Sequence, residues 1–464
     1  MSSSERPSES TRASTTAAHA PDAATEATEA TAAAVPGGRH SPRLQRTGPG
    51  RPVGGNRVEL LRGGAEYFAA LIAAIDQAVL SVSLETYIYA DDEIGQAVAD
   101  ALLRAAERGV RVHLLVDGFG AGDMPASLVE RLRHGGVRLG VYRPLRGFRL
   151  ARRHLRRLHR KLAVIDRRIA FVGGINIIDD HNHGPFDEAQ LGPRYDFAVR
   201  VTGPLAGQIA LTAERLWWRL ALRGQMQGGG PGGGMSGGMS GGMSGGFPGG
   251  LSGLAADFPL PQGPLPSPTE GGVRAALLLR DNLRNRRTIE RAYLQALGSA
   301  RHDVIIANAY FLPGAKMRRA LLACRRRGVR VRLLLQGMVE YRLQHYATHA
   351  LYATLLEAGV EIHEYAESFL HAKVAVVDDS WATVGSSNMD PFSLLLAREA
   401  NVAVYDEAFA AQLRHELERA IALRSAPVVP EDHARRGRLR RCLDWTAYML
   451  LRFGVMVAGA AGRY

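Results

Sequence analysis

Two short stretches of this chain carry the same reactive side chains at the same spacing. One holds His159, Lys161 and Asp166, the other His371, Lys373 and Asp378, and both read H-x-K-x4-D. Seven residues beyond each aspartate a glycine turn opens and ends in asparagine: Gly173-Gly-Ile-Asn176 and Gly385-Ser-Ser-Asn388. The chain has three lysines, Lys161, Lys316 and Lys373, so two of the three sit in this repeat. Alternate side chains of a strand share a face, which would send each His and Lys into a common pocket. A glycine turn lets the backbone approach a ligand and offers N–H groups to an anion, and Asn176 and Asn388 add amide donors. Two imidazoles, two ammonium groups and two carboxamides suit a phosphoryl group.

Those residue types suit transfer at a phosphodiester. The lysines neutralise charge on the non-bridging oxygens as the five-coordinate state develops. One neutral imidazole attacks phosphorus and forms a covalent intermediate. The other, protonated, donates to the leaving alkoxide and then takes the proton of the incoming hydroxyl. The lysines supply the positive charge, so neither a metal nor another cofactor is required. Each histidine needs a group on its other nitrogen, and each half of the chain offers one downstream: Asp196 in RYDFAVRVTGP and Glu399 in AREANVAVY. Asp166 and Asp378 stand at the far ends of their strands, where a structural ion pair is expected. Asp179-Asp-His181-Asn-His183 has metal-ligand types but reads as a solvated loop, and no metal site is assigned to it.

The elements that must position these groups are themselves repeated. Leu71, Ile72, Ile75 and Val79 recur at helical spacing, Val79 to Tyr89 reads as a buried strand, and Ile94 to Arg108 as an amphipathic helix closed by Gly109. The strand VRVHLLVDG follows. In the second half, helical periodicity over 283–297 leads to the strand DVIIANAYF, a helix from Met317 to Arg327 and the strand RGVRVRLLLQG. That last segment matches RGVRVHLLVDG almost letter for letter, residues 327–337 against 108–118. Strands alternating with helices predict an α/β fold of two duplicated lobes, each a mixed β-sheet flanked by helices, with the active site where the lobes face each other. The expected divisions are a disordered tail over 1–53, a first lobe over 54–223, a Gly/Ser/Met/Pro-rich linker over 224–272 with its Met-Ser-Gly-Gly repeat, a second lobe over 273–430 and a basic, apolar segment over 431–464.

Composition narrows the partners. The 464 residues are 46% hydrophobic, enough for two cores, and the two cysteines exclude a disulfide-stapled scaffold. With 58 basic against 45 acidic residues the net charge is +13, which points to anionic partners. No stretch reaches the roughly 18 uninterrupted apolar residues of a spanning helix, and residues 1–50 lack the apolar core of a secretory signal. From Arg143 to Arg157 the chain carries many arginines and no acid, and HARRGRLRR precedes CLDWTAYMLLRFGVMVAGAAG near the C-terminus. A basic cluster before an aromatic-bearing apolar segment is the pattern of an interfacial anchor, so an anionic membrane surface is the expected partner and nucleic acid is disfavoured.

The paired motifs resemble those of the phospholipase D superfamily over about residues 55 to 425. Glu85-Thr-Tyr87, Asn308-Ala-Tyr310-Phe-Leu-Pro313 and Asn388-Met-Asp390-Pro391 narrow the likeness to the bacterial cardiolipin synthases, the shorter class without an N-terminal transmembrane hairpin. The resemblance implies that a phosphatidyl group passes through a phosphohistidine to the hydroxyl of phosphatidylglycerol. It implies phosphatidylglycerol as substrate, with phosphatidylethanolamine a second candidate donor, and a peripheral enzyme on the cytoplasmic face of the membrane. It points to His159 as the attacking histidine. Gly174 departs from it where many relatives have serine, which removes one possible phosphate contact. Two other readings remain: a lipid hydrolase or nuclease of the same superfamily using water as acceptor, and a non-catalytic lipid- or nucleic-acid-binding module. Oligomeric state is not legible.

Overall fold

The computed structural model describes residues 50–144, 156–184, 191–222, 266–281, 285–390, 393 and 397–459. Residues 1–49 of the N-terminal tail, the Met-Ser-Gly-Gly repeat with most of the linker, and most of the Arg143–Arg157 stretch lie outside the described residues, while Val53, placed in the tail from sequence, opens the first strand.

The first lobe runs β1 (Val53–Arg62), α1 (Gly63–Asp76), β2 (Ser81–Thr86), α2 (Glu93–Glu107), β3 (Arg111–Asp117), α3 (Ala126–His134), β4 (Arg138–Tyr142), β5 (Arg157–Leu158), β6 (Lys161–Ile165), β7 (Ile169–Gly173), β8 (Phe197–Thr202) and α4 (Pro204–Ala221). The second runs β9 (Val273–Arg280), α5 (Thr288–Ser299), β10 (Asp303–Asn308), α6 (Ala315–Arg326), β11 (Arg330–Gln336), α7 (Arg342–Glu357), β12 (Glu361–Tyr365), β13 (Lys373–Val377), β14 (Trp381–Gly385), β15 (Ala397–Tyr405) and α8 (Glu407–Arg424). Beyond it lie β16 (Ser425–Pro427), α9 (Pro430–Ala434) and α10 (Arg438–Gly459).

The helices start and stop for local reasons. Asp92 caps α2 by accepting the N–H of Gly95, and Gly109 follows its last turn at φ +83°, a conformation costly for any residue with a Cβ. Asp406 caps α8 through the N–H of Phe409. Strand β2 is shorter than the run Val79–Tyr89 predicted, because Val79 and Leu80 turn outward and are exposed.

The duplication is visible in the sheet. Outward from the β1–β9 seam the order is β1-β8-β7-β6-β2-β3-β4 on one side and β9-β15-β14-β13-β10-β11-β12 on the other, with β16 added at the second edge. β2, β3 and β4 are parallel, as are β10, β11 and β12, while the strands nearer the seam pair antiparallel. Each lobe buries one sheet face under its own helices, with Leu71, Val98 and Leu102 in the first and Ile289, Leu321 and Leu355 in the second. The opposite faces share one core with α4 and α8, where Leu162, Val164 and Val199 meet Val374, Val376 and Val402. Removal of this apolar surface from water, at about 25 cal/mol per Å², binds the lobes into one body.

Among the described residues, Asp166 and Asp378 form no ion pair of the kind expected of them. Each sits at positive φ just past its strand, a conformation aspartate tolerates. Asp166 accepts the backbone N–H groups of Val79, Leu80 and Ser81; Asp378 accepts those of Arg301, His302 and Asp303. The end of the strand thereby holds the loop that leads into its neighbour. Burial pushes the Asp378 carboxyl up, but its three N–H donors outweigh that and leave it below the usual range. Its contribution is therefore complete at neutral pH and lost as pH falls through the lowered value. Asp166→Ala or Asp378→Ala should each lower unfolding free energy by about 1–2 kcal/mol, read as the midpoint of urea unfolding; an unchanged midpoint would contradict this role.

Candidate active site

Each histidine lies where the chain changes partners. β5, just ahead of His159, pairs with β15 of the second lobe, and two residues later the chain joins its own sheet as β6. His159 is thus in extended chain before the strand rather than within it, and its backbone N–H donates to the carbonyl of Arg398 at 3.0 Å. His371 repeats this, its N–H donating to the carbonyl of Tyr195 in the first lobe at 2.9 Å.

The side chains follow the backbone across the interface. Nδ1 of His159 lies 3.0 Å from the carboxylate of Glu399, the residue after Arg398. Nδ1 of His371 lies 2.6 Å from Asp196, the residue after Tyr195. Both sequence-predicted carboxylates meet a histidine, and each serves the histidine of the opposite lobe. Glu399 is fully buried and Asp196 nearly so, while the imidazoles keep 17% and 18% exposure, enough to reach a ligand.

Lys161 and Lys373 open β6 and β13 and are buried. Lys161 Nζ donates to the carbonyl oxygen of His159 at 2.7 Å, and Lys373 makes the same bond to His371. Each lysine thus braces the peptide that carries its histidine. Lys161 also stands over the ring of Tyr87, 5.3 Å from its centroid, and Lys373 lies 3.9 Å from Asp196. Burial lowers Lys161 to about 7 and Lys373 to about 8, against the carboxylates that favour their charge. Burial also raises Asp196 to about 7, which Lys373 and the N–H of Phe197 oppose. Both histidines are pushed down, chiefly by burial. An arriving phosphodiester anion favours every one of the lost positive charges.

Asn176 accepts the N–H of Ile88 through its side-chain oxygen, leaving its amide nitrogen as a donor. The Asn388 side-chain oxygen is buried and meets no partner among the described residues, and the same holds for the side-chain nitrogen of Asn308. Asp166 and Asp378 stand apart from this group, roughly 17 Å away along five-residue strands at about 3.3 Å per residue.

The two glycine turns differ for a reason outside phosphate contact. Ser386 Oγ donates to Glu399 at 2.6 Å. At the equivalent Gly174, a Cβ would come within 2.3–2.7 Å of the Asp196 carboxylate. Serine therefore braces one carboxylate, and glycine makes room for the other. Neither role is legible from the motif, because both depend on the strand alongside. Tyr87, whose ring centroid lies 4.9 Å from that of His159, had only the Glu85-Thr-Tyr87 match as a signal. Glu85 forms a buried ion pair with Arg160. In the Asp179–His183 run, Asp180 accepts the N–H of Gly64, Asp179 that of His181, and Asn182 donates to Asp92.

Known proteins are similar to this chain in sequence and in fold. The family described as cardiolipin synthase, phospholipase D-like domain matches residues 71–185 and 293–421. Cardiolipin synthase B of Escherichia coli (strain K12) is 37% identical over 380 residues, 79% of this chain and 81% of that protein. Cardiolipin synthase A of Pseudomonas putida is 31% identical over 364 residues, 78% of this chain and 67% of that one. Among solved structures, phosphatidylserine synthase of Haemophilus influenzae aligns with a TM-score of 0.59 at 16% identity, over 86% of this chain and 93% of that one, a likeness of fold.

A pH profile tests the buried lysines. Values of about 7 and 8 in the free protein place the alkaline fall of kcat/KM near those pH values, since that ratio reports the free enzyme. Bound phosphodiester raises both groups, so the fall of kcat should lie at higher pH. Coincident alkaline limbs would contradict this electrostatic account.

Proposed function

Because the chain belongs to the phospholipase D-like cardiolipin synthase family, we propose that it joins two phosphatidylglycerol molecules into cardiolipin and glycerol through a phosphohistidine. The observation that carries this reading is the crossed pair, His159 on Glu399 and His371 on Asp196. It supplies two imidazoles with fixed Nδ1 partners, so that both Nε2 atoms are available for chemistry. Lys161, Lys373, Asn176 and Asn388 are the groups we assign to the phosphoryl oxygens.

In the first half-reaction one Nε2 lone pair forms an N–P bond. The P–O bond to glycerol breaks with its electron pair on oxygen, and the second imidazolium gives that oxygen its proton. In the return, a phosphatidylglycerol hydroxyl passes its proton to the second imidazole and forms the new P–O bond, and the N–P bond breaks back to the first. Asp166 and Asp378 serve this site by fixing the strands that carry the lysines.

Purified protein with phosphatidylglycerol vesicles should yield diphosphatidylglycerol and glycerol; phosphatidic acid as the sole product would identify a hydrolase instead. His159→Ala and His371→Ala should each lose at least about 100-fold in turnover, the lower end for a positioned acid or base.

The C-terminal helix supports a peripheral membrane location. Ala447, Tyr448 and Leu451 on one face of α10 join the second lobe's core, while Leu439, Leu443, Trp445, Met449, Leu450, Phe453 and Met456 are exposed. The segment read from sequence as an anchor is thus also part of the fold. No helix among the described residues is long and apolar enough to cross a membrane. An apolar face beside Arg438, Arg440 and Arg441 fits the headgroup boundary of an anionic bilayer. Replacing Trp445 and Phe453 together by Ser should cut cosedimentation with phosphatidylglycerol vesicles several-fold while leaving the melting temperature within a few degrees. Unchanged cosedimentation would exclude this face as the contact.

A further inference from the structure

The two lobes differ at one place beside their lysines. Asp166 holds Ser81 and Asp378 holds Asp303, and Tyr89 and Phe311 bridge to Ile177 and Met389, just past the two glycine turns. Counted between these fixed points, Tyr87 of the first lobe and Ala309 of the second occupy the same position. The Tyr87 ring stands over Lys161 and beside His159, and a Cβ on Gly120 would come within 2.9 Å of it, so the loop after β3 closes on that ring. Ala309 has no ring to offer. In its place the second lobe has a cavity, lined by Ala309, Tyr310, Gln336, Glu340, Gln344 and Thr348.

This cavity adjoins the segment that carries His371. Ala309 donates its N–H to the carbonyl of Ala372 at 3.1 Å, and Gln336 accepts the N–H of Leu370 at 3.2 Å. Glu340 lies near enough to Lys373 to favour its charge. It stands three residues beyond Gly337, where the first lobe has Ala121 three beyond Gly118, so this carboxylate has no counterpart there. Tyr310 donates its hydroxyl to Glu340 Oε2, and among the described residues Oε1 meets no donor. No lysine or arginine among the described residues lines the cavity, so a phosphate placed in it would face Glu340 without a cation. A neutral alcohol with further hydroxyls supplies the donor that Oε1 lacks, and the Gln344 amide and Thr348 hydroxyl stand beside it.

We propose that Glu340, seated by Tyr310, holds the spare hydroxyls of the glycerol headgroup and so selects a polyol as the alcohol of the transfer reaction. The assignment rests on the phosphatidyl-transfer reading above and names where its alcohol sits. The primary hydroxyl oxygen forms the new P–O bond as the N–P bond breaks with its pair on nitrogen, and its proton passes to an imidazole. The neighbouring secondary hydroxyl donates to Glu340 and leaves the reaction unchanged. Departing glycerol uses the same place in the first half-reaction, because the chemistry of the two halves is reversed. A site built to hydrogen-bond a substrate hydroxyl rejects the analogue lacking it, since its polar group is then left unpaired.

Competition between alcohols tests this on the full chain. The donor is dihexanoyl phosphatidyl-p-nitrophenol, offered with equal concentrations of glycerol and 1-propanol. Phosphatidylglycerol, phosphatidylpropanol and phosphatidic acid are then quantified by mass spectrometry. The unaltered chain should favour glycerol over 1-propanol by at least about tenfold. Glu340→Gln should bring that ratio down at least about fivefold, and Tyr310→Phe should move it the same way by less. A merely structural role would slow both products alike, so an unchanged ratio in both variants overturns the assignment. Ethanolamine in place of 1-propanol separates a polyol site from an ammonium site: a preference for ethanolamine over glycerol that Glu340→Gln removes also overturns it. Phosphatidic acid as the sole product of the unaltered chain overturns the transfer reading itself, and the subsite with it.

Discussion

The active site depends on an exchange between the lobes. The chain ahead of each histidine pairs with the other lobe, so that one residue's carbonyl takes the histidine's backbone N–H and the next residue's carboxylate takes its ring: Arg398 and Glu399 for His159, Tyr195 and Asp196 for His371. Backbone register alone places both carboxylates, since moving the pairing by one residue would turn each away from its imidazole. Neither lobe holds a complete histidine with its partner. The shared core beneath, from Leu162 and Val164 to Val374 and Val376, therefore supports catalysis as well as stability, because it keeps the two registers aligned.

Bringing two lysines, two histidines and two carboxylates out of water together is costly, and their charges repay it only in part. The directions of the shifts show which charges remain uncompensated: the lysines and histidines move down, and Asp196 moves up, all chiefly through burial. The site's own groups are thus short of stabilising negative charge. An anion with oxygens to share among lysines and amides would supply what is missing. Groups already fixed by His159 and His371 carbonyls, by Ser386 and by strand ends need no rearrangement to meet it.

Much of this was legible in the sequence because the chain states it twice. Paired H-x-K-x4-D stretches, matched RGVRV strands and scarce lysines point to the two lobes and to side chains that the structure gathers, and the need for an Nδ1 partner points to the acids at 196 and 399, which lie beside the histidines. The direction of the exchange was hidden, because it depends on β5 pairing with β15 rather than with a neighbour in sequence. The glycine at 174 read as a lost phosphate contact, yet it makes room for Asp196. Asp166 and Asp378 read as ion-pair members because a charged side chain beside a strand suggests a charged partner; at positive φ their carboxylates turn instead to three backbone N–H groups each. The C-terminal segment showed its apolar content but not its two faces, since periodicity cannot say which face a lobe will cover.

That two-faced helix bears on how a lipid enzyme meets its substrate. α10 packs along α7, where Arg436 bonds to His349 and to Asp444, and α7 begins directly after Glu340 and Tyr341. Glu340 accepts a hydrogen bond from Tyr310 and lies near enough to Lys373 to favour its charge. Two packed helices thus link the apolar face proposed to meet a bilayer with the side of the candidate pocket. A loose tether would gather the enzyme at the membrane but leave its pocket free to point anywhere. A docked helix also limits orientation, which matters for a reaction whose two large substrates are both held in the membrane. The same residues that finish the second lobe's core, Ala447, Tyr448 and Leu451, are what convert attachment into alignment.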